Sequence, residues 1–529
     1  MSNVHANCNK TRLGWLLLLF LVAFQFYSRY LPTPWAVLVA DDWANLARSS
    51  FYSSHWHAAV AGLVDPNRPL SMLAVETVFR LFGRRALYWT VLSIAANTLL
   101  LLLLAGMVFA LTGRRRVTLL AGVVFALLPN LTETFHWSTQ VLNEVACALV
   151  PYAFSGWLWV LYARNGGLWR LLLSTGGYAV GLFSYEAGVL LPAAFIFLLA
   201  WRREPVRCAL RVSPFAGVVL LYAAWRLTNA FGLNQTWHYP PHMQAGISLW
   251  TVSWNTRQIV HWWAGDNLFG AMLAGLQSFA TLSTWTRRWL VLGNIAVLGL
   301  VGWWLIRLRE GDAAPVDAPP FATWQVALFA VAWTAAAWAI SLVSYTAPRL
   351  NVLPAMGISL LLALLLQRWP VRRWGPWLAL PALLAMISNQ GTAENFRQVG
   401  ELNLRLYAAL EESLEEWREK EVLFFDMASL RNRLTPGLLR PTGEDPSTWA
   451  YCGNALLHRG FVYGGMVRLV TGERRLPLRV LHDVEHGVRI EGDELLWHAR
   501  YNPARPYRIT LEDVYIVDVH GVTVERANR

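Results

Sequence analysis

The chain has 529 residues, 55% of them hydrophobic and 15% charged, and its 45 Lys and Arg against 33 Asp and Glu give a formal net charge of +12. Soluble domains usually carry about 25% charged residues, so this composition excludes an ordinary soluble enzyme and reads as a polytopic membrane protein. The surplus is almost wholly arginine, with Lys10 and Lys420 the only lysines, and it lies in short clusters between apolar runs. That placement reads as topology signal, and no nucleic-acid partner is expected.

About 20 apolar residues cross a bilayer as a helix. Residues 13–31 supply the first such run, behind Lys10 and Arg12. The basic flank predicts a cytoplasmic N-terminus, and without a small-residue cleavage site the helix is expected to stay attached. The stretch "VADDWANLARSS" at 39–50 then emerges outside, presenting the adjacent carboxylates Asp41 and Asp42. Residues 69–83 contain Glu76 and Arg80 and are expected to lie at the interface as an amphipathic helix. The run 86–112 returns to a cytoplasmic stop at Arg114–Arg116.

Further runs near 117–129 and 141–162, 170–184 and 187–201, 209–225 and 289–306, and 322–344 and 350–367 go out and back in pairs. Arginines follow each return, as the positive-inside rule asks. A last run near 374–388 completes about eleven predicted spans. Within the external segment 226–288, "LWTVSWNTRQIVHWWAGDN" places Trp250, Trp254 and Trp262 as an interfacial anchor.

From residue 389 the character changes. Val399, Leu402, Leu406, Leu410, Leu414 and Trp417 recur at helical spacing over 394–419. The runs "VLFFDM", "FVYGG", "LPLRVL", "VRIEG", "YRITL" and "VYIVDVHGVTVE" read as short strands. The expected fold class is mainly α. A polytopic membrane helical bundle with interfacial helices fills 1–388, and a small extracytoplasmic α+β domain fills 389–529.

This topology gathers polar residues on one face: Asp41 and Asp42, Asp65 and Arg68 in "DPNRPL", Glu133 and His136 in "PNLTETFHWSTQ", Tyr185 and Glu186 in "FSYEAG", and Tyr345 and Arg349 in "SYTAPRLN". Ionisable groups at span ends are costly unless hydrated or paired, so their recurrence at one depth is a functional signal. No phosphate-binding glycine loop is present, so an activated substrate would arrive through the lipid.

The double acid, the "RPL" at 68–70, the "E…HW" at 133–137, the "SYE" at 184–186 followed by Pro192, and the late "APR" at 347–349 together resemble membrane glycosyltransferases of the GT-C fold. That superfamily includes protein O-mannosyltransferases and the aminoarabinose transferases of lipid A. The resemblance covers roughly 13–370; no repeat of about 34 residues follows, so the tetratricopeptide-bearing branch is not matched.

The resemblance implies transfer of a sugar, with inversion, from a polyprenyl-phosphate donor to a lipid, glycan or protein acceptor at the outer face of the cytoplasmic membrane. Under it, Asp41 or Asp42 is the general base and the other orients the acceptor or a divalent metal. Arg68 and Arg349 are candidates for the donor phosphate. Glu186 and Tyr185 would bind sugar hydroxyls, and Glu133 and His136 would contact substrate. Lipid phosphate leaves as a stable anion, so no acid partner is required, unlike in a glycosidase. The competing reading is non-catalytic, a transporter or flippase of lipid-linked sugars or an envelope scaffold, in which the acids tolerate amide replacement.

Overall fold

The computed structural model describes residues 2–32, 38–39, 41–65, 68–131, 133–199, 204–231, 249–308, 321–343, 348–426, 460–476, 478–482, 489–499, 502–518 and 523–526. The principal helices are α1 (Ser2–Tyr30), α2 (Asp41–Ser50), α3 (His55–Leu63), α4 (Pro69–Phe82), α5 (Ala86–Thr112), α6 (Arg115–Leu127), α7 (Ser138–Asn165), α8 (Leu168–Ser184) and α9 (Pro205–Phe231). They continue as α10 (Leu249–Ala264), α11 (Asp266–Ala280), α12 (Thr284–Arg307), α13 (Thr323–Val343), α14 (Val352–Leu366), α15 (Val371–Glu412) and α16 (Gly460–Thr471).

Among the described residues, six helical stretches are long and apolar enough to cross a membrane: Arg12–Tyr30, Ala86–Thr112, Ser138–Asn165, Pro205–Thr228, Thr284–Arg307 and Thr323–Val343. The other expected runs form shorter helices or, near 374–388, part of α15. The reason is clearest at α6. Its 13 residues reach about 20 Å at 1.5 Å per residue, against a hydrocarbon layer of about 30 Å. The chain then breaks into short turns over 129–131 and 133–137, and this backbone lies level with the body of α5: Ser93 Oγ donates to the Phe135 carbonyl and Asn97 Nδ2 to the Thr134 carbonyl. Irregular backbone at such a depth requires partners from the protein itself, and α5 supplies them. Outward, α9 and α12 bury little of their apolar surface and expose Leu220, Leu221, Trp285 and Leu292, as lipid-facing helices do.

α15 runs 42 residues, about 60 Å, without interruption despite Pro376 and Pro381. The expected division at 388/389 therefore falls inside one helix. Its middle is fixed by backbone contact, since Cβ atoms at Gly275 of α11 and Gly391 of α15 would strike the opposing main chain at Ser388 and Gly275. Its second half buries Val399, Leu402, Leu406 and Leu410, as their spacing predicted, in a core shared with Leu38, Trp43, Val75, Phe79, Tyr463 and Tyr515. The C-terminal unit thus shares a core with the segment that carries the double acid.

The C-terminal strands are β1 (Val422–Asp426), β2 (Arg479–His482), β3 (Arg489–Glu491), β4 (Glu494–Ala499), β5 (Asn502–Thr510), β6 (Val514–Asp518) and β7 (Thr523–Arg526). One sheet has the order β2-β1-β6-β7, with β1 parallel to both neighbours; the other is an antiparallel β3-β4-β5 meander. "FVYGG" is a correction to the predicted strands, because it opens helix α16. Tyr463, Met466 and Val467 are all buried at steps of three and one, a helical face that composition over five residues cannot separate from a strand. β1 and β2 are parallel, and the crossover between them contains this helix.

Candidate functional site

α2 begins at the double acid. Asp42 is completely buried, and its carboxylate is filled by donors from two segments. Oδ2 accepts from the Val39 amide at 2.8 Å, and Oδ1 accepts from the Thr139 amide at 2.7 Å and the Thr139 hydroxyl at 2.5 Å. A carboxylate at a helix start ordinarily captures nearby orphan amides; this one also fastens α2 to the start of α7, 97 residues away. Asn403 of α15 donates to the Leu38 carbonyl, anchoring the same turn from a third side. The side chain of Asp41 lies outside the described residues, as do those of Glu133 and Arg349.

A second cluster joins three of the predicted residues. Arg68 caps the start of α4 and donates through Nε and Nη2 to the two carboxylate oxygens of Glu186 at 3.1 and 3.0 Å. Its guanidinium carbon sits 3.9 Å from the centre of the Tyr185 ring. Tyr185 is held in turn by its carbonyl, which accepts from the Tyr152 hydroxyl at 2.6 Å. Asp65 accepts from the Arg68 amide at 2.8 Å, so it orders the backbone that presents the arginine. Burial pushes the Glu186 carboxyl up, but the charge and paired hydrogen bonds of Arg68 outweigh it, with help from Arg226, and the net value lies below the ordinary one. The pair is charged and planar, about a quarter exposed on each side, so its polar edge remains open to hydrogen bonding.

α4 connects the two clusters, since it packs on both α2 and α8. Glu76 forms an ion pair with Arg48 of α2, and Arg80 Nη1 donates to the Ser49 carbonyl at 3.1 Å. Its charges therefore face α2, and Glu76 is buried. Burial raises the Glu76 carboxyl, with Arg48 opposing.

His136 is buried between Tyr30, at 5.8 Å between ring centres, and Phe396, at 5.5 Å. Burial lowers its pKa, the neighbouring Arg29 charge adds to the effect, and the value falls to about 3. The imidazole is neutral at pH 7. Arg29 itself is a residue the sequence reading did not single out. It is fully buried, donates to Asn389 Oδ1 at 2.9 Å and to the Leu128 carbonyl, and lies 4.6 Å over the Phe135 ring. No carboxylate pairs with it among the described residues. An arginine in the last turn of an apolar run is the signal that marks it.

Among the described residues, no group of three or more His, Cys, Asp or Glu side chains is placed to hold a metal ion. The site brings Arg68, Tyr185 and Glu186 into direct contact, places Asp42 on Thr139, and puts His136 against Arg29 three residues before Thr139. Comparison with known protein families finds no family model that matches the chain, and comparison with curated proteins finds no significant match.

Proposed function

We propose that this protein is a membrane glycosyltransferase that moves a sugar from a polyprenyl-phosphate donor to an acceptor at the extracytoplasmic face, with a carboxylate as general base. The observation that carries the reading is the meeting of Arg68 with Tyr185 and Glu186, from segments 118 residues apart, at the start of a helix that also packs on α2, the helix that begins at the double acid. A charged fork and a carboxylate offer donors and acceptors to sugar hydroxyls, and the aromatic ring offers an apolar face.

Within the double acid the base is Asp41. Asp42 already accepts three hydrogen bonds in a dry environment, so its role is to position α2, and a base must reach the proton it removes. Arg68 is engaged by Glu186, which leaves the donor phosphate to Arg349. Lipid phosphate departs as an anion, so this chemistry asks for a base and a cation without a general acid. The alternative, a transporter or flippase of lipid-linked sugars, draws on the short elements at 129–131 and 133–136, since discontinuous helices line transporter sites; it makes Asp41 dispensable for chemistry because there is none.

The test uses membranes containing the protein, supplied with labelled polyprenyl-phosphate sugars. Wild-type membranes should transfer label to an acceptor, and Asp41→Asn at equal abundance should lose transfer by about a hundredfold or more. Undiminished transfer by Asp41→Asn would remove the proposed base, and movement of labelled lipid across the bilayer without transfer would favour the transporter.

A further inference from the structure

A cavity of about 470 Å³ opens where α16 crosses α2, lined by Ala44, Gly465, Leu478 and the three arginines Arg468, Arg474 and Arg475. The crossing is close: a Cβ on Gly465 would lie 2.7 Å from the Ala44 amide nitrogen and the Trp43 carbonyl carbon. Gly465 thus lets the backbones of the two helices approach, and Gly464, Leu476 and Val480 complete the lining beside the arginines.

The three arginines are exposed, and none forms an ion pair among the described residues. Glu473, next in sequence to Arg474, is engaged elsewhere, pairing with Arg418 at 3.3 Å. Three arginines lining one cleft give it a positive charge, and their planar forks match the oxygens of a phosphate. The volume suits a ligand of sugar-phosphate size, within the usual range of roughly 300–1,000 Å³. Ala44 stands three residues after Asp41, about 4.5 Å along the helix axis.

We propose that the cleft between α2 and α16 is a subsite for a phosphate group on the acceptor, so that the substrate receiving the sugar is a phosphorylated glycan or a phospholipid headgroup. This rests on the glycosyltransferase reading for the word acceptor, while phosphate binding by the cleft stands independently. Phosphate held by Arg468, Arg474 and Arg475 fixes one end of the acceptor at the helix that bears the double acid. The C-terminal unit thereby has a role in selecting what is glycosylated.

The full-length protein in phosphatidylcholine nanodiscs is treated with phenylglyoxal, and modification of the three arginines is followed by mass spectrometry. Glucose 1-phosphate is added as the soluble probe, with glucose as its uncharged control, and a parallel set of discs carries phosphatidylglycerol. Protection by glucose 1-phosphate alone identifies a soluble phosphorylated acceptor, and protection by phosphatidylglycerol alone identifies a lipid headgroup. The Arg474→Gln/Arg475→Gln double variant should need at least about tenfold more of the effective phosphate to protect Arg468, whereas Arg508→Gln in the neighbouring meander should titrate as the wild type does. Absence of protection by either phosphate, or equal protection by glucose, overturns the proposal, as does a double variant that titrates like the wild type. Protection in a protein that transfers no sugar would leave the phosphate cleft standing and the glycosyltransferase reading without support.

Discussion

Arg68 and Glu186, 118 residues apart, are joined by two parallel hydrogen bonds at 3.1 and 3.0 Å beneath the ring of Tyr185. No spacing along the chain predicts this pair. Their pairing ties the start of α4 to the end of α8 and sets the relative position of the two clusters that make up the site.

Breaking that pair on one side should destabilise more than removing both. Arg68→Gln and Glu186→Gln are each expected to cost about 1.5–3 kcal/mol, and thermal unfolding of the double variant should reveal a coupling of similar size. The Glu186 carboxyl is held below its ordinary value, so the contribution is complete above the unfolded carboxylate range and is lost as pH falls through the folded value. Additive single effects would show that the pair is not coupled.

Asp42→Asn should weaken the fold before it affects chemistry. The amide keeps one acceptor for Thr139, but its NH2 group then faces the Val39 amide donor, and a buried donor left unsatisfied costs about 1–3 kcal/mol. Thr139→Val should show a related but smaller loss, since the Thr139 amide still donates. Limited proteolysis between α1 and α2 is the measurement, and an Asp42→Asn protein as resistant as the wild type would contradict the anchoring role.

His136 predicts a pH dependence of the opposite kind from a charged histidine. Its folded value near 3 lies below the ordinary 6.5, so the unfolded chain binds the extra proton and stability increases with pH across that interval. The contribution is whole above about 6.5 and declines as pH falls toward the folded value, on the order of a few kcal/mol. Comparing melting at pH 7 and pH 4.5 should give a larger drop for the wild type than for His136→Gln. Equal drops would mean that the ring is not buried as a neutral group.

The crossing of α11 and α15 should tolerate no side chain. Gly391→Ala drives a methyl group into the Gly275 carbonyl, and Gly275→Ala does the same at Ser388; each is expected to cost at least about 3 kcal/mol because backbone cannot rotate away. Gly176, with open space around it, is the control, and Gly176→Ala should be neutral or slightly stabilising. Equal folded yields of Gly391→Ala and Gly176→Ala in detergent extracts would refute the close contact.

The apolar runs and the period of α15 were legible in the sequence because helix formation and burial along one element depend on neighbours three and four positions away. Residues Val399 to Leu410 sit in the core as that spacing required. So were the candidate polar residues, because charge within or beside apolar sequence is rare and therefore informative. The short run "FVYGG" was not legible, since five residues fit either period until the rest of α16 chooses.

Partnership was decided by tertiary structure alone. The sequence marked Asp42 as a candidate base, Arg68 for the donor phosphate and Glu186 for sugar hydroxyls; only packing made Asp42 an anchor for Thr139 and joined Arg68 to Glu186. It likewise brought Arg474 and Arg475 to line one cavity with Ala44. The physical reason is that hydrogen bonds and charges act over a few ångströms in space, whereas a pattern along the chain carries no information about which distant segment will be brought within that reach.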